Sequence, residues 1–87
     1  MEITFKSGAL EDIDFWIKTG NKKIQKRITD LLHSIEINPE SGKGKPEKLK
    51  GNLSGYWSRR INKEHRLIYK IDYNNQLVII YSLKGHY

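Results

Sequence analysis

The spacing of apolar residues changes twice along the chain, and each change predicts a new kind of element. Ile3 and Phe5 alternate with polar neighbours, which is typical of a short strand with one buried face. The residues that follow predict a helix that Ser7 caps and Gly20 ends. Its apolar face has three residues, Leu10, Ile13 and Ile17. Its first turn carries two acids that complement the helix dipole, Glu11 and Asp12.

A second helix is predicted directly after the first. Asn21 can cap it, and Asn38 ends it because the residue before a proline disfavours helical backbone. Its apolar residues recur at spacings of four, three and four, in the order Ile24, Ile28, Leu31 and Ile35. Its other side is basic and carries Lys22, Lys23, Lys26 and Arg27. This helix should therefore bury one side and expose a positively charged one.

The second half of the chain predicts a loop and then three strands. Both prolines, with several glycines and lysines, fall between Pro39 and Gly55, a composition typical of a loop. Strands are predicted at about residues 55 to 61, 65 to 72 and 76 to 83, where apolar and polar positions alternate. The order of elements predicts a single α+β domain over residues 1–87. We expect a mainly antiparallel four-stranded sheet with two N-terminal helices packed on one face.

Composition narrows the class of protein. A chain of 87 residues with 37% hydrophobic residues can form one modest core. The sequence has no cysteine, which excludes a disulfide framework and a thiolate metal site and fits a reducing compartment. We see neither a signal peptide nor an apolar run of membrane-spanning length. These features favour a cytoplasmic protein without a membrane partner.

Positive charge is concentrated in one part of the chain. The net charge is +6, and nine Lys or Arg residues lie between Lys43 and Lys70 against two acids, Glu47 and Glu64. Such clustering favours binding to a polyanion. A lysine-rich surface that only keeps a small protein soluble is the alternative interpretation. A carboxylate inside a phosphate-attracting field weakens binding, so Glu47 either offsets charge repulsion or takes part in chemistry.

The candidate chemistry is cleavage of RNA. Without a metal ion, this reaction requires a base for the 2′-hydroxyl, an acid for the leaving 5′-oxygen and a cation for the phosphorane. A carboxylate, a histidine and an arginine suffice, and the candidates among these residue types are Glu47, His86 and Arg66. The three histidines are too scattered to form a recognisable metal motif, and no serine or cysteine nucleophile signature is present. We therefore expect neither a metal nor a cofactor.

Each of these residues also has a non-catalytic interpretation. Glu47 lies among lysines, as a solvated loop acid would, and His86 lies next to the end of the sequence, where fraying is common. Arg66 alternates with core positions, so it can bind a phosphate or pair with Glu64 or Asp72. These alternatives stay open from the residues alone.

Other residues near these candidates have competing interpretations as well. His65 is expected to make a structural hydrogen bond at the start of a strand. Tyr56 and Trp57 can stack on bases of single-stranded RNA, although core packing is at least as good an explanation for Trp57.

The run from Gly42 to Tyr69, GKGKPEKLKGNLSGYWSRRINKEHRLIY, occurs together with a final His86-Tyr87 pair. In this combination the chain resembles the YoeB branch of the RelE-type bacterial toxins over nearly its whole length. The resemblance implies a RelE-like fold and a ribosome-dependent endoribonuclease that cuts mRNA in the ribosomal A site. It also implies 2′,3′-cyclic phosphate and 5′-hydroxyl ends, and silencing by a cognate antitoxin similar to YefM.

The resemblance assigns roles residue by residue. Glu47 resembles the general base, His86 the general acid and Arg66 the arginine that stabilises the transition state, while Tyr87 resembles an aromatic that orients the site. Contacts to RNA are expected from five basic residues, Lys50, Arg60, Arg59, Lys45 and Lys43. The approach to the final pair, Ser82 to Gly85, differs from members with a cysteine and an additional aromatic there.

The expected partners are the 70S ribosome, mRNA and an antitoxin, with a homodimer as a further possibility. A different class of function remains open, a non-catalytic RNA- or ribosome-binding module such as a degenerate toxin. A module that binds an acidic protein partner also fits the charge, but it explains neither Glu47 nor the His86-Tyr87 pair.

Overall fold

The computed structural model describes residues 1–86, so the predicted site residue Tyr87 lies outside the described residues. Residues 1–86 form two helices and five strands. In chain order these are β1 (Glu2–Phe5), α1 (Ser7–Thr19), α2 (Lys22–Ile37), β2 (Glu47–Lys48), β3 (Trp57–Arg60), β4 (Arg66–Asp72) and β5 (Leu77–Ser82). A short 3₁₀ turn at Gly51–Leu53 separates β2 from β3.

The strands form one mixed sheet in the order β1-β5-β4-β3-β2. β1 pairs with β5 in parallel, whereas the other neighbours are antiparallel. The α+β class and the mainly antiparallel pairing are confirmed, but the expected number of four strands is wrong, because the sheet has five strands and one parallel pair. The additional strand is β2, whose two residues lie inside the segment whose composition predicts a loop. The parallel pair results from a long-range contact between the first and last strands, which local alternation does not reveal.

Helix α1 differs from its prediction in two respects. Ser7 is its first residue rather than its cap, because Lys6 occupies the N-cap position without a side-chain hydrogen bond. Its orientation also differs, since Ala9 and Trp16 are buried whereas Leu10 and Ile17 are 54% and 58% exposed. The expected end is confirmed, with Gly20 in the left-handed region at φ 70° and its N–H donating to the carbonyl of Ile17.

Helix α2 matches its prediction closely. The side chain of Asn21 accepts a hydrogen bond from the N–H of Ile24 at 3.0 Å, and Asn38 follows the last helical turn. The four apolar residues of the predicted stripe, Ile24, Ile28, Leu31 and Ile35, are all buried. One basic residue of the opposite side, Arg27, instead donates to the carbonyls of Arg60 and Ile61 and ties α2 to the end of β3.

The core lies between the helices and one face of the sheet. Leu67 and Tyr69 of β4, with Val78 and Ile80 of β5, are fully buried and form one cluster with the buried residues of both helices. The helices therefore contribute to a single apolar core. Among residues 1–86, neither helix combines the length and apolar character needed to cross a membrane.

Candidate active site

The sheet register brings the candidate residues of β2, β3 and β4 to one face. Glu47 of β2 pairs with Ser58 of β3, and Arg60, two residues further along β3, pairs with Arg66 of β4. Directly paired residues project from the same face of a sheet, as do residues two apart in one strand. Glu47, Arg60 and Arg66 therefore share a face. It is the face opposite the core, because Leu67, the neighbour of Arg66, is fully buried.

The separation of Glu47 and Arg66 follows from the same ladder. Neighbouring strands lie about 4.8 Å apart and successive residues about 3.4 Å apart, so the two Cα atoms are separated by about 12 Å. Glu47 has an exposed side chain and Arg66 a half-buried one. This spacing leaves room for a ribose-phosphate unit between the two residues.

A main-chain hydrogen bond brings His86 to the start of β4. The N–H of Arg66 donates to the carbonyl of Gly85 at 2.8 Å, so the residue directly before His86 is tied to Arg66. His86 itself is exposed. Arg66 and His86, 20 positions apart in the sequence, therefore lie close together at the start of β4, whereas Glu47 lies two strands away on the face that Arg66 shares.

The guanidinium of Arg66 is held by main-chain carbonyls. Its Nη1 donates to the carbonyls of Asn62 at 2.8 Å and His65 at 3.2 Å. In the part of the chain that the structure describes, Arg66 forms an ion pair with neither Glu64 nor Asp72. The contacts therefore do not support the interpretation in which Glu64 or Asp72 neutralises Arg66.

We call residues Leu83 to Gly85, which lie between β5 and His86, the tail segment. Three side chains bind the main chain of Leu83 and Gly85 in this segment. The carboxylate of Asp12 accepts from the N–H of Leu83 at 2.9 Å, and the indole of Trp16 donates to the carbonyl of Leu83 at 2.8 Å. His65 Nδ1 accepts from the N–H of Gly85 at 2.8 Å. The expected structural hydrogen bond of His65 is thus present. The expected first-turn role of Asp12 is wrong, because the first turn of α1 contains no acid.

The prediction that Arg59 contacts RNA is wrong. Arg59 is fully buried, and its guanidinium donates five hydrogen bonds inside the protein. The acceptors are the side-chain oxygens of Tyr69 and Ser34 and the carbonyls of Asn38, Ser41 and Lys43. Alternation along β3 could have revealed this, because Arg59 pairs with the buried Leu67 and shares its face.

The other predicted RNA-binding residues have exposed side chains but do not form one group. Lys45, Lys50 and Arg60 are exposed near β2 and β3. Lys43 is instead directed toward α2, where its Nζ lies 3.8 Å from the carboxylate of Asp30. The pKa of Asp30 lies below its ordinary value of 3.8, chiefly because Lys26 donates a hydrogen bond to it, with a smaller contribution from the charge of Lys43.

Aromatic residues differ in which face of the sheet they occupy. Trp57 stacks on Tyr69 with ring centroids 6.3 Å apart, which supports the core-packing interpretation for Trp57. Tyr56 and Tyr81 meet edge to face at 5.1 Å, and the Nζ of Lys70 lies 4.4 Å from the ring centre of Tyr56. This second group combines π faces with a positive charge, the chemistry that suits single-stranded RNA.

Comparison with known proteins gives a consistent result. The family model described as a YoeB-like toxin of a bacterial type II toxin-antitoxin system matches residues 5–87. A curated relative, Toxin YoeB of Streptomyces coelicolor, is 49% identical over 87 residues, which cover all of both chains.

Solved structures give the same result as the family model and the curated relative. A YoeB/ParE toxin from Agrobacterium tumefaciens has a TM-score of 0.93 at 36% identity and covers both chains completely. Two structures from Staphylococcus aureus cover all of this chain and 98% of theirs. One is a heterotetrameric YoeB-YefM toxin-antitoxin complex, with a TM-score of 0.84 at 50% identity, and the other a YoeB dimer, with 0.85 at 49%. The chain therefore belongs to the family of YoeB-like toxins of bacterial type II toxin-antitoxin systems.

Proposed function

We propose that this toxin is a ribosome-dependent endoribonuclease that cuts mRNA in the ribosomal A site and thereby inhibits translation. The observation that carries the proposal is the arrangement around the start of β4. Its support is that Glu47 and Arg66 share the outer face of the sheet and that the N–H of Arg66 binds the carbonyl of Gly85, the residue before His86. A base, a cation and an acid can thus meet at one phosphodiester.

The proposed reaction uses the 2′-oxygen of the substrate as the nucleophile. The Glu47 carboxylate takes the proton of the 2′-hydroxyl, and the oxygen forms a bond to phosphorus. Arg66 stabilises the additional negative charge of the phosphorane. The bond from phosphorus to the 5′-oxygen then breaks as the protonated imidazole of His86 transfers its proton to that oxygen. The products are a 2′,3′-cyclic phosphate and a 5′-hydroxyl, and solvent returns Glu47 and His86 to their starting protonation states.

The openness of this site supports the proposed dependence on the ribosome. The side chains of Glu47, Arg60 and His86 are exposed and cannot by themselves fix a flexible strand of RNA. Holding the message in line for attack can contribute a large part of catalysis, and the ribosome can supply that order. Lys45, Lys50 and Arg60 are proposed to contact phosphates, and Tyr87 to orient the terminal part of the site.

Binding partners are proposed from charge and from the relatives. The S. aureus structures contain a YoeB-YefM complex and a YoeB dimer. We expect this chain, with net charge +6, to bind an antitoxin similar to YefM through an acidic segment that folds on binding. A homodimer is the second expected assembly. A single domain over residues 1–87 and a cytoplasmic location, where translating ribosomes are found, complete the proposal.

The test is cleavage of mRNA on programmed 70S ribosomes, followed by analysis of the RNA ends. Glu47→Gln, Arg66→Ala and His86→Gln should each retain ribosome binding and lose cleavage by about a hundredfold or more. The exposed residues Glu36 and His33 of α2 provide matched controls, Glu36→Gln and His33→Gln, which should cut normally. Normal cleavage by all three site variants would refute the assignment. Ribosome binding by the wild type without new RNA ends would favour a non-catalytic binding module.

A further inference from the structure

Four hydrogen bonds hold the main chain of Leu83 and Gly85 in the tail segment. Asp12 and Trp16 of α1 bind the two main-chain polar groups of Leu83, and His65 and Arg66 bind those of Gly85. Leu83 itself is fully buried, so its N–H and carbonyl need partners within the protein. Side chains supply three of these four contacts. We call Asp12, Trp16 and His65 the tail clamp.

Contacts of its backbone and its ring hold His65 in place, so its Nδ1 is a fixed hydrogen-bond acceptor. Its backbone N–H donates to the side chain of Asn62 at 2.8 Å, and its carbonyl accepts from the N–H of Ile61 at 3.0 Å. Its ring meets the indole of Trp16 edge to face, with centroids 4.9 Å apart. Because Nδ1 accepts from the N–H of Gly85, the ring must carry its proton on Nε2.

The two hydrogen bonds of Gly85 determine where His86 begins. The carbonyl oxygen of Gly85 belongs to the same planar peptide unit as the nitrogen and Cα of His86. Arg66 holds this oxygen, and His65 holds the N–H on the other side of Gly85. Gly85 has φ +80°, a conformation that glycine adopts without strain. With both sides of Gly85 fixed, the Cα of His86 has little freedom to move away from Arg66.

We infer that Asp12, Trp16 and His65 are positioning residues that hold the general acid His86 at the scissile phosphate. The inference rests on the proposed function for the role of His86, but the clamp itself is a property of the free protein. Displacing a catalytic group by about 1 Å can lower a rate by about a hundredfold. Asp12, Trp16 and His65 take no part in the proposed reaction, but they therefore affect the rate of cleavage through the position of His86.

Two substitutions of His65 separate positioning from general stability. His65→Phe keeps an aromatic ring against Trp16 but removes the acceptor for Gly85. His65→Asn removes the ring but places Oδ1, like Nδ1, two bonds from Cβ, where it can accept the same hydrogen bond. His33→Phe, an exposed histidine on α2, is the matched control.

The first measurement needs no RNA. Amide hydrogen exchange by NMR should show the Gly85 N–H protected in the wild type and in His65→Asn, and exchanging at least tenfold faster in His65→Phe. The ¹⁵N signals of His65 should show the proton on Nε2 in the wild type. Unchanged Gly85 exchange in His65→Phe, or a proton on Nδ1, would overturn the clamp whether or not the protein cuts RNA.

The second measurement is single-turnover cleavage on programmed ribosomes at saturating protein. His65→Phe should lower the cleavage rate about ten- to a hundredfold with unchanged ribosome affinity, and His65→Asn should recover most of the loss. In the His86→Gln background, His65→Phe should cause little further loss, because the two residues act through one group. Equal rates for His65→Phe and wild type would overturn the positioning role. If the wild type itself leaves mRNA intact, the proposed function fails, and amide exchange still decides whether the clamp exists.

Discussion

Replacing Arg59 by methionine should be among the most destabilising single substitutions in this protein. Arg59 is fully buried and donates hydrogen bonds to three main-chain carbonyls between Asn38 and Lys43, and to Ser34 and Tyr69. Methionine fills a similar elongated space but donates no hydrogen bond. The change therefore removes a buried charge and leaves the segment that leads from α2 to β2 without its donor.

The size of the effect follows from two opposing contributions. A hydrogen bond to a charged group is worth about 1.5–3 kcal/mol, and a buried acceptor left without a partner costs about 1–3 kcal/mol. Removing the guanidinium also removes its desolvation cost of several kcal/mol. Breaking a buried charged network usually leaves a net loss of about 3–5 kcal/mol. A domain of this size has a total unfolding free energy of about 4–13 kcal/mol, so this loss is large.

Urea denaturation followed by circular dichroism measures the loss. With an m value of about 1–1.5 kcal/mol per M, the midpoint should fall by about 2–5 M for Arg59→Met. Arg60→Met, on the neighbouring exposed residue of β3, should shift it by less than about 0.5 M. If Arg59→Met is unfolded without urea, Arg59→Lys, which keeps the charge with fewer donors, should give an intermediate loss. Equal midpoints for Arg59→Met and Arg60→Met would refute the reasoning.

Three further predictions concern stability. Asn21→Ala removes the cap of α2 and should lower the unfolding free energy by about 1 kcal/mol in urea titrations. Gly44→Ala should cost about 1–3 kcal/mol, because its backbone has φ +83° and the new methyl carbon would lie 2.6 Å from Leu31 Cδ2. Burial raises the pKa of Tyr69 above its ordinary value of 10.0, so the folded state keeps a proton that the unfolded state loses. This contribution to stability is complete below about pH 10 and is lost as the pH rises toward the folded pKa. Tyr69→Phe should therefore lose stability less steeply than the wild type above pH 10.

Each of these predictions has its own control. Asn52→Ala, in an exposed turn, should not change the urea midpoint. Gly55→Ala has a similar positive φ of 94° but no atom within 4 Å of its added methyl, so it isolates backbone strain from the clash at Gly44. Equal costs at the two glycines would contradict the packing argument. Parallel stability curves for wild type and Tyr69→Phe between pH 9 and about 11 would contradict the linkage argument.

Most elements were predictable because their signals are local. The cap at Asn21 and the stripe through Ile24 and Leu31 lie within one helix, so sequence spacing alone places them. Alternation likewise located β3, β4 and β5 to within about two residues. The face of α1 was mispredicted because Trp16, rather than Leu10, fits the core and reaches the carbonyl of Leu83.

The same distinction between local signals and long-range contacts applies to the candidate site. The sequence by itself determined the basic central run and the presence of Glu47, Arg66 and His86, whose catalytic roles stay predictions. Only the tertiary structure decided that β2 brings Glu47 to the face of Arg66 and that carbonyls between Asn38 and Lys43 accept hydrogen bonds from Arg59.

The contacts that hold the tail segment are likewise visible only in the tertiary structure. Leu83 is bound by Asp12, 71 positions earlier, and Gly85 by His65, 20 positions earlier. A single acid or histidine gives no local pattern that identifies such a partner. The sequence sets which residues are apolar, charged or able to cap a helix within a few positions of one another. Contacts between distant residues depend on how the sheet and helices pack, because strand pairing and helix rotation are fixed by burial of the whole core.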